Sequence, residues 1–252
     1  MTKLLTPKIL ECAKMCHAVY NPLAEHPGRF VKSESTDAEL YLTLIDDTAY
    51  VVCRGTDSAG EWIQNFMWDM VPFSSEHRER SDAKIHTGFM LQYVSVKNEV
   101  FDELDILTKM DACKKVLFTG HSLGGANASI LAYGYAPTCT LPIEVISFGG
   151  PRFCNSALRD IYENDIVNTT RVVNDLDGVT LAPLVSQGYC HVGNLIHIKD
   201  EKEDSKELSW FGWAFWVVKS SISYMTGSVT DHFIWNYVEE IEKCLEKNQE
   251  QK

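Results

Sequence analysis

Apolar positions along this chain fall into two kinds of stretch, short unbroken runs and longer segments with helical spacing, and the two alternate. Residues 116–119 (Val-Leu-Phe-Thr) are such a run, followed after a glycine-rich break by an Ala-rich helical segment over 126–135. Runs at 40–45 and 49–53 predict a strand pair turning at Asp46-Asp47, and 144–148, 170–173 and 195–198 predict three further strands, the last closing the set. Thr6-Pro7 is an N-cap with proline at the first helical position, after which Ile9, Leu10, Ala13, Cys16, His17 and Tyr20 recur until Asn21-Pro22 ends the helix. A long helix is predicted from Lys84-Ile85-His86-Thr87-Gly88-Phe89 to about Leu107, burying Phe89, Tyr93, Val96, Val100, Leu104 and Leu107. Another is expected around 156–162. A final one, capped by Asp231, has Phe233, Tyr237, Ile241 and Leu245 on its apolar face. Residues 21–37 read as polar turns, 58–68 as a short helical segment carrying Trp62, Ile63, Phe66 and Met67, and 246–252 as a frayed tail. Strands alternating with helices predict an α/β fold: a mostly parallel central sheet flanked by helices on both faces, in a single domain over 1–252. No internal repeat or linker interrupts it.

Composition narrows this picture only slightly. With 252 residues and 45% hydrophobic content the chain has enough material for one large core. A formal net charge of −12 argues against nucleic acid as a partner and offers no attraction to anionic membranes. The first ten residues lack the apolar stretch of a signal peptide, and no run approaches the ~20 residues of a membrane-spanning helix. Eight cysteines form neither a C-x-x-C pair nor a zinc-like spacing, and several occupy apolar positions. The expectation is reduced thiols in an intracellular, cytoplasmic protein, with unconventional export left open.

The chemistry concentrates where the run at 116–119 breaks. Gly120-His121-Ser122-Leu123-Gly124 is a G-x-S-x-G pattern between a strand and a helix, the context in which a serine projects from the top of a sheet on a strained turn. Glycines two residues to either side remove side chains that would collide with neighbouring backbone, and the helix that follows aims its free N–H groups at the reacting centre. Ser122 is therefore the candidate nucleophile. A serine hydroxyl needs a base, and the base needs an orienting acid, in the order Ser…Asp/Glu…His on a sheet of this kind. Asp177, in the Asp177-Gly178 turn after the strand at 170–173, is the chosen acid, with Asp175 the runner-up. Among the downstream histidines His197 reads as a strand packing residue. His191 lies in the 188–193 turn, and His232, at the head of the last helix, is favoured over it. An oxyanion needs two N–H donors: Leu123, next to the nucleophile, and Thr56, where Arg54-Gly55-Thr56 ends an early strand. Such a site uses no metal and no organic cofactor.

Taken together, Arg54-Gly55-Thr56 followed by Trp62, Ile85-His86-Thr87-Gly88-Phe89, Gly120 to Gly124, Phe148-Gly149-Gly150-Pro151-Arg152, the Val173-Asn174 to Asp177 segment and Asp231-His232 resemble the fungal-type (class 3) triacylglycerol lipases of the α/β-hydrolase fold. The match runs in order over almost the whole chain. The resemblance implies a serine carboxylic-ester hydrolase acting on lipid acyl esters, with Ser122, Asp177 and His232 as catalytic triad. It also implies Thr56 and Leu123 as oxyanion donors and a mobile lid around 58–66. Phospholipase A1 or short-chain esterase activity would use the same triad. A non-catalytic lipid-binding module is the alternative of another class, but it would require a missing triad member, and none is evident. Cys154 stands where the family often has glycine, and Gly178 where a larger residue is usual; neither is a proposed catalytic group.

Residues 199–207 form a charge run, after which 210–218 turn abruptly apolar, placing Trp210, Trp213 and Trp216 within one short stretch. That stretch is too short to span a bilayer. It either lies at a lipid interface, where tryptophan is favoured, or packs beside the core. In the first reading Trp213 and Trp216 join Trp62 and Phe66 as a lipid-facing rim in transient contact with a membrane or lipid-droplet surface.

Overall fold

A computed structural model of the chain describes residues 5–21, 28–56, 69–75, 78–166, 168–175, 177–198, 202–203 and 230–250. The expected helical segment at 58–68 with Trp62 and Phe66, and the apolar stretch with Trp213 and Trp216, lie outside these residues.

Eight strands form the main sheet. In chain order they are β1 (Arg29–Lys32), β2 (Glu39–Ile45), β3 (Thr48–Cys53), β6 (Lys115–His121), β7 (Ile143–Phe148), β8 (Asn168–Val173), β9 (Asn194–His197) and β10 (Lys202–Glu203), and they lie side by side in that order. The centre, β3 through β9, is parallel, and antiparallel pairings close both edges. Between β3 and β6 the chain makes a separate hairpin of β4 (Met70–Ser75) and β5 (Arg78–His86). Five α-helices are described: α1 (Pro7–Ala18), α2 (Thr87–Thr108), α3 (Leu123–Tyr135), α4 (Ser156–Asp165) and α5 (Ile234–Glu250).

The period of two along β6 explains why helices cover both faces. Val116 and Phe118 point into a core shared with Phe89, Tyr93 and Val100 of α2, Ile130 and Leu131 of α3 and Leu158 of α4. Leu117 points the other way, into a core with Ile9, Cys12 and Cys16 of α1 and Tyr237 and Ile241 of α5. Helix α1 starts as its sequence requires, with the Thr6 hydroxyl accepting the Ile9 N–H at 3.3 Å and proline next to it. Because α3 is wedged between the sheet and α2, all thirteen of its residues are buried, which is why it is built from glycine, alanine and serine as well as larger apolar groups.

Four differences from the sequence reading have physical causes. Lys84, Ile85 and His86 do not open α2; their backbone pairs with Pro72, Val71 and Met70, and the helix starts at Thr87 with the His86 ring accepting the Gly88 N–H. The stretch 21–37 contains a real edge strand, β1, of which only Val31 is buried, too weak an alternation to read. A short β10 extends the sheet beyond β9. The last helix does not start directly after Asp231: Thr230–His232 form a 3-10 turn, α5 begins at Ile234, and it runs into the segment expected to fray as far as Glu250.

Candidate active site

Thr56, Ser122 and Asp177 follow the carboxyl ends of the parallel strands β3, β6 and β8, where such folds place ligands, and His232 comes from the 3-10 turn Thr230–His232. Ser122 follows β6 directly and holds φ 58°, ψ −130°, a conformation costing an L residue on the order of 1–3 kcal/mol. Surrounding backbone compels it. The Ser122 N–H donates to the Phe148 carbonyl at 2.9 Å, and Gly125 N–H returns to the Ser122 carbonyl at 2.9 Å. A methyl group at Gly120 would stand 2.2 Å from the Gly124 carbonyl oxygen, and one at Gly124 2.2 Å from that of Cys53. The two glycines of the motif thus let the elbow close on itself and lie against the end of β3.

The structure brings Ser122, His232 and Asp177 together. His232 Nε2 lies 2.8 Å from Ser122 Oγ, and its Nδ1 lies 3.0 and 2.9 Å from the two carboxylate oxygens of Asp177. All three are buried. A carboxylate only accepts, so Nδ1 carries the hydrogen and Nε2 presents its lone pair to the serine O–H. Asp177 is fixed from three other directions. Its Oδ1 accepts the Val179 N–H at 3.0 Å, its Oδ2 accepts the Tyr237 hydroxyl at 2.5 Å, and its backbone carbonyl accepts the Thr180 hydroxyl at 2.9 Å.

The other candidates are placed elsewhere. His191 Nε2 donates to the Thr180 carbonyl at 2.8 Å, so this ring supports the 3-10 turn Gly178–Leu181 rather than reaching Ser122. Burial, then the nearby Arg171 and Arg152, push its pKa well below the ordinary imidazole value. Arg152 reinforces the same loop, donating to the Leu181 and Pro183 carbonyls. His197 Nε2 donates to the Asp175 carbonyl at 2.8 Å, so Asp175 meets a histidine through its backbone, at φ 34°. Thr56, partly exposed, follows Gly55, where an added methyl would stand 3.1 Å from Ser122 Cβ; the turn before Thr56 therefore touches the nucleophile. Leu123 is the first residue of α3, where backbone N–H groups have no intrahelical acceptor. Among the described residues no group of three or more His, Cys, Asp or Glu side chains could hold a metal ion.

Two residues that the sequence reading passed over belong to the site. Tyr237 reads there as one of the apolar positions of the last helix, yet its hydroxyl reaches Asp177. His121 reads as the variable residue of the motif, yet its ring lies 4.6 Å from that of His232. Nothing local in either pattern distinguishes them.

A mostly parallel sheet whose central strand ends in a strained serine, faced by a histidine and an aspartate from later loops, defines an α/β-hydrolase. The family model described as Lipase (class 3) matches residues 50–187, more than half of the chain, from β3 past the Asp177 loop. The chain belongs to the class 3 lipase family. It is 31% identical over 150 residues to a lipase of Rhizopus niveus, covering 58% of this chain and 37% of that one. Over 161 residues it is 29% identical to the chloroplastic phospholipase A1-Ialpha2 of Arabidopsis thaliana, covering 53% and 32%. The chain thus spans about a third of the length of these curated relatives. Among solved structures, a triacylglycerol lipase whose catalytic centre is a serine protease triad superimposes with a TM-score of 0.76 at 24% identity, covering 92% of this chain and 94% of that one, a likeness in fold.

Proposed function

We propose that this chain is a serine carboxylic-ester hydrolase acting on lipid acyl esters, with Ser122 as nucleophile, His232 as general base and Asp177 as its orienting acid. The observation that carries this is the continuous path from Ser122 Oγ through His232 to Asp177, each step within 3.0 Å. Ser122 Oγ attacks the ester carbonyl while its proton passes to His232 Nε2, and Asp177 stabilises the imidazolium. The tetrahedral oxyanion is met by the N–H groups of Leu123 and Thr56, each such donor contributing about 10²–10³ in rate. As the intermediate collapses, the bond to the leaving alkoxide breaks and His232 returns the proton to it. Water, deprotonated by the same imidazole, then attacks the acyl-enzyme and releases the fatty acid with Ser122 restored. A second reading, phospholipase A1 activity, is favoured by the Arabidopsis relative and uses the same groups.

Intracellular placement forms part of this reading, supported by eight free cysteines; no helix among the described residues is long and apolar enough to cross a membrane. The test is hydrolysis of tributyrin, triolein and phosphatidylcholine by wild type and Ser122→Ala, together with labelling by a fluorophosphonate probe. Hydrolysis and labelling that both vanish in Ser122→Ala support the proposal, and the preferred ester chooses between the two readings. Labelling that persists in Ser122→Ala, or a wild type inert to all three esters, overturns it.

A further inference from the structure

His121, the last residue of β6, is buried, and it makes two contacts that the triad chemistry does not use. Its Nε2 lies 2.5 Å from the backbone carbonyl oxygen of His232. A carbonyl only accepts, so Nε2 carries the hydrogen, and in the neutral ring Nδ1 is bare. That Nδ1 faces the Tyr20 hydroxyl at 2.9 Å, which donates to it. Burial, reinforced by the neighbouring His232, pushes the His121 pKa well below the ordinary imidazole value, in keeping with a neutral ring. Tyr20 in turn has little room to move. Its ring lies 5.5 Å from the Arg54 guanidinium, and its hydroxyl occupies a point only 2.2 Å from where a methyl on Gly55 would sit.

The backbone that carries the base needs such an anchor. At the start of the helix that follows, the Asn236 and Tyr237 N–H groups both turn to the Phe233 carbonyl, and the His232 carbonyl faces His121. Two bonds to its backbone tie the 3-10 turn Thr230–His232 to neighbouring elements, the one from His121 and the donation from Asn174 Nδ2 to the Asp231 carbonyl at 3.2 Å.

We propose that His121 and Tyr20 are positioning residues for the hydrolysis: His121, oriented by the Tyr20 hydroxyl, grips the His232 carbonyl and so fixes the base over Ser122. This rests on the serine-hydrolase reading. Neither side chain touches the ester. Their effect is on kcat, through the placement of an imidazole whose displacement by about 1 Å costs on the order of 10²-fold.

The test measures kcat and KM on p-nitrophenyl butyrate, the rate of fluorophosphonate labelling and the melting temperature for wild type, Tyr20→Phe, His121→Leu, His121→Gln and the Tyr20→Phe/His121→Leu pair. Phenylalanine keeps the ring against Arg54 and removes only the hydroxyl, so kcat falls about 3–10-fold with KM within about twofold. His121→Leu loses the donor and costs roughly 10²-fold in kcat. His121→Gln, which again offers an N–H to the carbonyl, recovers most of that. Because Tyr20 acts through His121, adding Tyr20→Phe to His121→Leu costs less than about twofold more. The inference is overturned alone if the wild type is active and Tyr20→Phe matches it in kcat, if the two losses multiply independently, or if Gln does no better than Leu. Should His121→Leu fail to fold, Tyr20→Phe and His121→Gln decide: loss in the first with near-normal kcat in the second supports the inference, and the reverse overturns it. A wild type that neither hydrolyses the ester nor takes the probe at Ser122 removes the serine-hydrolase reading and this inference with it.

Discussion

Gly149, the first residue after β7, has a φ of +59° and donates its N–H to the Val172 carbonyl at 3.0 Å, so the chain is held to the sheet there. A methyl group built on it stands 2.5 Å from Asp177 Oδ2, 2.8 Å from the Tyr237 hydroxyl and 3.2 Å from His232 Nδ1. Gly149→Ala therefore has two separable effects. The left-handed backbone costs an L residue about 1–2 kcal/mol, which in a chain of this size lowers the melting temperature by roughly 2–8 °C. The carboxylate must also retreat by ~0.9 Å to regain an ordinary contact at 3.4 Å. A displacement of about 1 Å within a reacting constellation costs on the order of 10²-fold. We expect kcat/KM on a short nitrophenyl ester to drop about 100-fold in a protein that is still folded at room temperature. Labelling of Ser122 by a fluorophosphonate should slow by a similar factor, since it draws on the same base. A Gly149→Ala protein with the lowered melting temperature but kcat/KM within twofold of wild type would refute the reasoning, because it would show that Asp177 can yield without disturbing His232.

Other outcomes follow from the same geometry. Tyr237→Phe removes a buried donor to a carboxylate, so denaturant unfolding should show a loss of about 1.5–3 kcal/mol, with kcat down about tenfold and KM little changed; an unaltered midpoint would count against that bond. His191→Asn should retain more than about a tenth of wild-type activity, whereas His232→Asn should lose about 10³-fold or more; the opposite ranking would make His191 the base. His121 and His191 both have pKa values held well below 6.5 by burial. Below pH 6.5 the unfolded chain therefore takes up protons that the folded chain refuses. The stability that these rings contribute is complete above pH 6.5 and lost as pH falls, at up to about 1.4 kcal/mol per pH unit for each. Urea midpoints should drop from about pH 7.5 to about pH 5, a window above the ordinary carboxylate range. A flat profile, or an unchanged slope in a His121→Gln/His191→Asn variant, would contradict this.

What could be read from the chain was local. The elbow around Ser122 is legible because a strained serine between two mandatory glycines leaves its mark within five residues. Strands β2, β3, β6 and β7 are legible because sheets buried on both faces demand unbroken apolar runs. The β4–β5 hairpin escaped because Arg78–His86 contains five charged or polar residues before Ala83 and Ile85 turn inward. The meeting of Tyr20, His121, His232 and Tyr237 spans more than two hundred positions, and a tyrosine in a helical apolar stripe looks the same whether its hydroxyl meets solvent or a carboxylate. Order and context along the chain favour His232 over His191 although both follow Asp177, and the coordinates separate the two by what each ring meets, Ser122 and Asp177 for His232 and the Thr180 carbonyl for His191.

The 3-10 turn that carries His232 runs into helix α5, which bears Tyr237 in its first turn and packs beside α1 over the face of the sheet where Ile9, Cys12 and Cys16 meet Ile241 and Cys244. Helix α1 is thus a wall for α5. Loosening that wall at Cys12 or Ile9 would release the imidazole while all the central strands stayed paired. Ester turnover is in this sense a gauge of how firmly α1 and α5 are clasped, and it should fade on warming before the sheet gives any sign of melting.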